Sequence, residues 1–135
     1  MAAKHILLAE NDEALAHVMA LLLKQAEFKV STVKSCAEAL QVLARQAAER
    51  APVDLLITAV HRLPEDEEKT LLAAMAAGRI NMPVIAITGH DDAALLHALN
   101  TTGCAVCITK PFAAETLMNG IQTVLQSEEK RQGEA

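Results

Sequence analysis

Four short apolar runs, each closed by polar residues of a defined kind, constrain this chain more than any other feature. Ile6-Leu7-Leu8-Ala9 ends in Glu10-Asn11-Asp12, and Leu55-Leu56-Ile57 ends in Thr58-Ala59-Val60. Val84-Ile85-Ala86-Ile87 ends in Thr88-Gly89, and Ala105-Val106-Cys107-Ile108 ends in Thr109-Lys110-Pro111-Phe112. Apolar runs of this length, separated by stretches of helical periodicity, predict parallel strands buried between two helical layers. In such a sheet the C-terminal strand ends converge on one crevice, where open α/β sheets do their chemistry. The crevice gathers acids, a hydroxyl and a lysine. The central run contributes no carboxylate there, only Ala59 or Val60.

The intervening stretches supply the helices. Asn11 or Asp12 can cap a helix to about Ala26, with Leu15, Val18, Met19 and Leu22 as its inner stripe. Phe28 to Val33 reads as another strand. Ser35-Cys36-Ala37-Glu38 reads as a capping box, opening a helix that ends before Pro52. The third strand is expected from Val53 to about Thr58. A helix from about Glu65 to Ala77 begins with Glu65-Asp66-Glu67-Glu68, which suits the helix dipole as a solvated first turn, and Gly78 suits its left-handed exit. Asp91 is expected to cap a short helix to about Asn100. The last helix carries Leu117, Met118, Ile121, Val124 and Leu125. Five strands alternating with five helices predict a three-layer sandwich with right-handed crossovers. The expected organisation is one domain over 1–126 and a polar, frayed tail over 127–135.

Composition excludes several classes. With 135 residues there is room for one ordinary core. The net charge of −5, with no Lys/Arg cluster, argues against a nucleic-acid partner. No apolar run approaches the roughly 18 residues that span a bilayer. Met1 to His5 leads straight into a strand and does not read as a signal peptide, so a cytoplasmic location is expected. Three cysteines make no disulfide framework. Cys104-x-x-Cys107 reads as structural thiols, because positions three apart on a strand face opposite sides and no second ligand pair lies nearby.

Taken together, Ile6 to Glu13, Pro83 to Asp92, and Gly103 followed by Thr109-Lys110-Pro111-Phe112 resemble the receiver domain of bacterial response regulators, over about Lys4 to Gln126. The resemblance implies a flavodoxin-like (βα)5 fold with strand order 2-1-3-4-5. It implies that an acidic pair after strand one holds Mg²⁺ and that an aspartate ending strand three accepts the phosphoryl group. A hydroxyl ending strand four and a lysine ending strand five then bind its oxygens. Carried over by position, Glu10 is the first acid, Asn11 stands at the second, Thr88 is the hydroxyl and Lys110 the lysine, before a cis proline. The phosphoacceptor position falls on Ala59 counting from Asp54, or on Val60 counting back from Pro64. Asp54 lies about 16 Å from Ala59 at strand rise and cannot substitute. Cys107 stands where the family places a switching aromatic.

The function expected from these residues is a stand-alone signalling receiver of two-component or phosphorelay type. It would act by phosphorylation-independent contact with a protein: a sensor kinase, a regulator or a second copy. It is not expected to be an enzyme, nor to hold a cofactor beyond weak Mg²⁺ at Glu10 and Asp12. The expected contact face joins helix four, strand five and helix five, with Cys107, Met118 and Leu125. One alternative is phosphorylation at a non-standard residue such as His61. Another is a small-ligand-binding α/β domain, against which stands the lack of a glycine-rich phosphate loop.

Overall fold

The computed structural model describes residues 3–49, 52–60, 67–89 and 93–134. Within them the elements run β1 (His5–Ala9), α1 (Glu13–Gln25), β2 (Lys29–Val33), α2 (Cys36–Glu49) and β3 (Leu55–Val60). They continue as α3 (Glu67–Ala76), β4 (Val84–Thr88), α4 (Ala93–Thr102), β5 (Val106–Thr109) and α5 (Ala114–Glu134). All strand pairs are parallel, in the order β2-β1-β3-β4-β5. This is the flavodoxin-like arrangement expected.

Strand alternation divides the core in two. Leu7, Leu56, Val84 and Ala86 face one side, packed with Leu40, Leu43, Leu71, Leu95 and Leu99 from α2, α3 and α4. Ile6, Leu8, Leu55, Ile57, Ile85 and Ile87 face the other, packed with Met19, Leu23, Leu117 and Ile121 from α1 and α5. The strands therefore read as unbroken apolar runs, as parallel strands covered on both faces must.

Helix ends follow the sequence closely. Asp12 caps α1, its Oδ1 accepting from the Leu15 N–H at 3.1 Å. Ser35 Oγ accepts from the Glu38 N–H at 3.1 Å, while Glu38 reaches back to the Lys34 N–H at 3.0 Å, one residue earlier than the usual reciprocal box. Gly78 leaves α3 at φ 72°. The exit of α1 has the same geometry without glycine. Glu27, at φ 71°, donates to the Lys24 carbonyl, and Phe28 donates to Leu23. This is a Schellman turn closed by the Phe28 and Leu23 side chains.

Three expectations change. Strand β3 runs two residues past Thr58, because Ala59 and Val60 still pair with β4. Helix α5 does not fray at Ser127 but continues to Glu134. Cys104 and Cys107 do not face opposite sides: their sulfurs lie 3.9 Å apart. Cys104 precedes β5, so strand alternation does not yet govern it. The expected cap Asp91 and the acidic Glu65-Asp66 lie outside the described residues.

Candidate functional site

At the strand ends Glu10 and Lys110 meet. The Glu10 side chain is fully buried and that of Lys110 is 24% exposed. Lys110 Nζ donates to Glu10 Oε1 at 3.2 Å and lies 3.0 Å from Oε2, which has this charge contact but no directed hydrogen bond. Oε1 also accepts from the Asp12 N–H at 3.1 Å. The backbone sets the pair: the Glu10 N–H donates to Val33 and the Lys110 N–H to Thr88. The Lys110–Pro111 peptide is cis, as the resemblance implies.

The register decides what stands beside this pair. Ala9 pairs with Thr58, so continuing by one residue sets Glu10 against Ala59. Ala59 alternates with Leu55 and Ile57 toward the α1/α5 side, where Leu8 and Ile108 also lie. Val60 turns the other way and packs in the core beneath α2, α3 and α4. Ala59, not Val60, is therefore the β3 side chain next to Glu10. Thr88 is wholly buried, and its Oγ1 has no partner among the described residues.

The other expected residues are placed as follows. Asn11 is exposed, and Asp12 is occupied as a helix cap. Asp54 sits at the opposite end of the sheet, where its Oδ2 accepts from the His5 N–H at 2.8 Å. His61 lies outside the described residues. Cys107 is half-buried, its thiol directed at Asn100 Oδ1 at 3.6 Å. Met118 and Leu125 are half-buried and pack against the core on the α1/α5 side of the sheet. Large apolar side chains exposed among the described residues are instead Val18 (52%) and Leu21 (47%) on α1. Counting Val18 as an inner residue missed this, because the helix buries the neighbouring stripe of Met19, Ala20 and Leu23.

The fold family implies a Mg²⁺ ion at this place, and the residues present do not fit one. Mg²⁺ takes octahedral oxygen ligands with one or two carboxylates. Here both oxygens of Glu10 face an ammonium, Asp12 caps a helix, and Ala59 offers no donor. A cation at Glu10 would have to share the carboxylate with Lys110.

A parallel 2-1-3-4-5 sheet carries an acid and a lysine that meet over its strand ends. The chain belongs to the response regulator receiver domain family of two-component signalling, whose model matches residues 6–122. It is 32% identical over 130 residues to the C4-dicarboxylate transport transcriptional regulatory protein DctD of Rhizobium meliloti (strain 1021), covering 96% of this chain and 26% of that protein. It is 29% identical over 116 residues to the two-component response regulator-like APRR3 of Arabidopsis thaliana, covering 84% and 23%. The chain thus spans about a quarter of the length of these relatives. Among solved structures, the CheY-like receiver domain protein from Methanospirillum hungatei JF-1 superposes with a TM-score of 0.81 at 21% identity, covering 96% of this chain and 98% of that one. No helix among the described residues is long and apolar enough to cross a membrane.

Proposed function

We propose that this receiver signals by protein contact without phosphorylation at β3, as a binding module of the cytoplasm rather than an enzyme. One observation supports the reading: the β1–β3 register sets Ala59 against Glu10, at the position where the resemblance expects the phosphoryl-accepting aspartate. A methyl group cannot form an acyl phosphate. Lys110, which would hold a phosphoryl oxygen, is held instead by Glu10. The partner is a protein of the signalling pathway, either a kinase, a regulator or another copy.

The test is incubation of the whole chain with acetyl phosphate and Mg²⁺, read by intact mass. No gain is expected. A gain of one phosphate, mapped to residues 54–66, overturns the reading and favours transfer to a non-standard residue.

A further inference from the structure

We propose that Cys104 and Cys107 form a dithiol that closes to an internal disulfide by exchange with a low-molecular-weight disulfide of the glutathione class. The two sulfurs are already in contact at 3.9 Å. A disulfide needs about 2.05 Å between sulfurs, so closure has to draw this contact together by roughly 2 Å. The turn that follows Gly103 creates the contact. The Cys104 N–H is bonded back to the Leu99 carbonyl, which directs its side chain into the same core that Cys107 faces from β5.

The two thiols have different roles. Cys107 is half-buried and is the sulfur that an external disulfide can reach. Cys104 is 8% exposed, with its sulfur 3.3 Å from the carbonyls of Val84 and Val106. Burial first, and then the neighbouring Cys107, push the Cys104 thiol up to about 12, so it remains protonated and inert toward outside reagents. Burial raises the Cys107 thiol as well, and the contact with Cys104 offsets this only in part. Cys36 is completely buried and takes no part.

The exchange balances. The Cys107 thiolate attacks one sulfur of the small disulfide, whose S–S bond breaks and releases one thiol. Cys104 gives its proton to solvent and attacks the Cys107 sulfur of the mixed disulfide. The second small thiol leaves. Two protein thiols are oxidised, and one disulfide is reduced to two thiols. Closure removes the contacts of Cys107 with Asn100 and of Cys104 with Val84, so it alters the joint between α4 and the β4–β5 edge. The inference does not depend on whether the domain is phosphorylated.

The experiment treats the native chain, C104S and C107S with oxidised glutathione under non-denaturing conditions, followed by intact mass and peptide mapping. The native chain should lose two hydrogens, retain no glutathione, link Cys104 to Cys107, and return to the dithiol with dithiothreitol. C104S should hold one glutathione on Cys107, and C107S should take up none on Cys104. If C104S does not fold, C104A replaces it with the same expectation. The proposal fails if the native chain keeps a glutathione adduct, if it stays fully reduced, or if C104S remains unmodified.

Discussion

At the scale of single residues, the Glu10–Lys110 pair governs the strand ends. Removing one partner of a buried pair costs about 3–5 kcal/mol, because the other charge is left without compensation. Lys110→Met should sit at the low end, about 3 kcal/mol, since the ammonium is partly solvated while the carboxylate is not. The double change Glu10→Leu with Lys110→Met should recover most of that loss, because paired removal leaves no orphan charge. Denaturant unfolding of the native chain and the two variants checks this; equal losses in the single and double variants would refute it. A second residue-scale expectation follows from Cys104. Its thiol titrates near 9.0 when unfolded and about 12 when folded. Between those values the unfolded chain binds fewer protons, so stability must fall as pH rises through the window and be unaffected by this group below it. The slope of stability against pH between about 9 and about 12 should be shallower in Cys104→Ala than in the native chain. Identical slopes would show that the thiol is not shielded.

At the scale of elements, the α1 exit carries a correctable strain. Glu27 adopts the left-handed conformation that costs a non-glycine residue about 1 kcal/mol or more. Glu27→Gly should therefore stabilise the domain by about 1 kcal/mol, less the entropy glycine adds to the unfolded chain, as a small rise in the urea midpoint. The sequence pointed to Gly78 as a left-handed exit but could not show Glu27, because nothing in Glu-Phe-Lys marks positive φ. Helix faces were legible in the same partial way. The stripe of Leu117, Ile121 and Val124 reads directly as an inner face, and it is buried. Whether Met118 and Leu125 add to that face or project from it depends on how α5 lies across the sheet, which periodicity does not encode. Since both pack on the core, Met118→Glu and Leu125→Glu should each cost about 1–2 kcal/mol. Val18→Glu and Leu21→Glu, on the exposed face of α1, should stay within about 0.5 kcal/mol of the native stability.

At the scale of the whole molecule, the sheet order and the two cores were legible because unbroken apolar runs, turn residues and right-handed crossovers leave few arrangements. The site was legible as four strand ends, but its register was not. Counting from Asp54 and from Pro64 gave neighbouring answers, and only the pairing of Ala9 with Thr58 sets Glu10 against Ala59. That register also determines how the molecule responds to ligands. A phosphoryl group switches a receiver by adding bonds to the hydroxyl and the lysine. Two charge-assisted bonds, each worth roughly 1.5–3 kcal/mol, approach the roughly 5.5 kcal/mol that takes an equilibrium from 1:99 to 99:1. Here Thr88 is buried, and Lys110 is already bound to Glu10. On the proposed reading, no added ligand at β3 recruits both. Mg²⁺ should accordingly bind more weakly than millimolar. Amide exchange of β4, α4 and β5 should also be the same with and without Mg²⁺ and beryllofluoride, all measured on the reduced protein so that thiol chemistry does not contribute. Slower exchange in Val84–Thr88 or Val106–Thr109 on adding the two together would mean that the strand ends still assemble around a phosphoryl mimic, and that the pair of Glu10 and Lys110 opens to admit it.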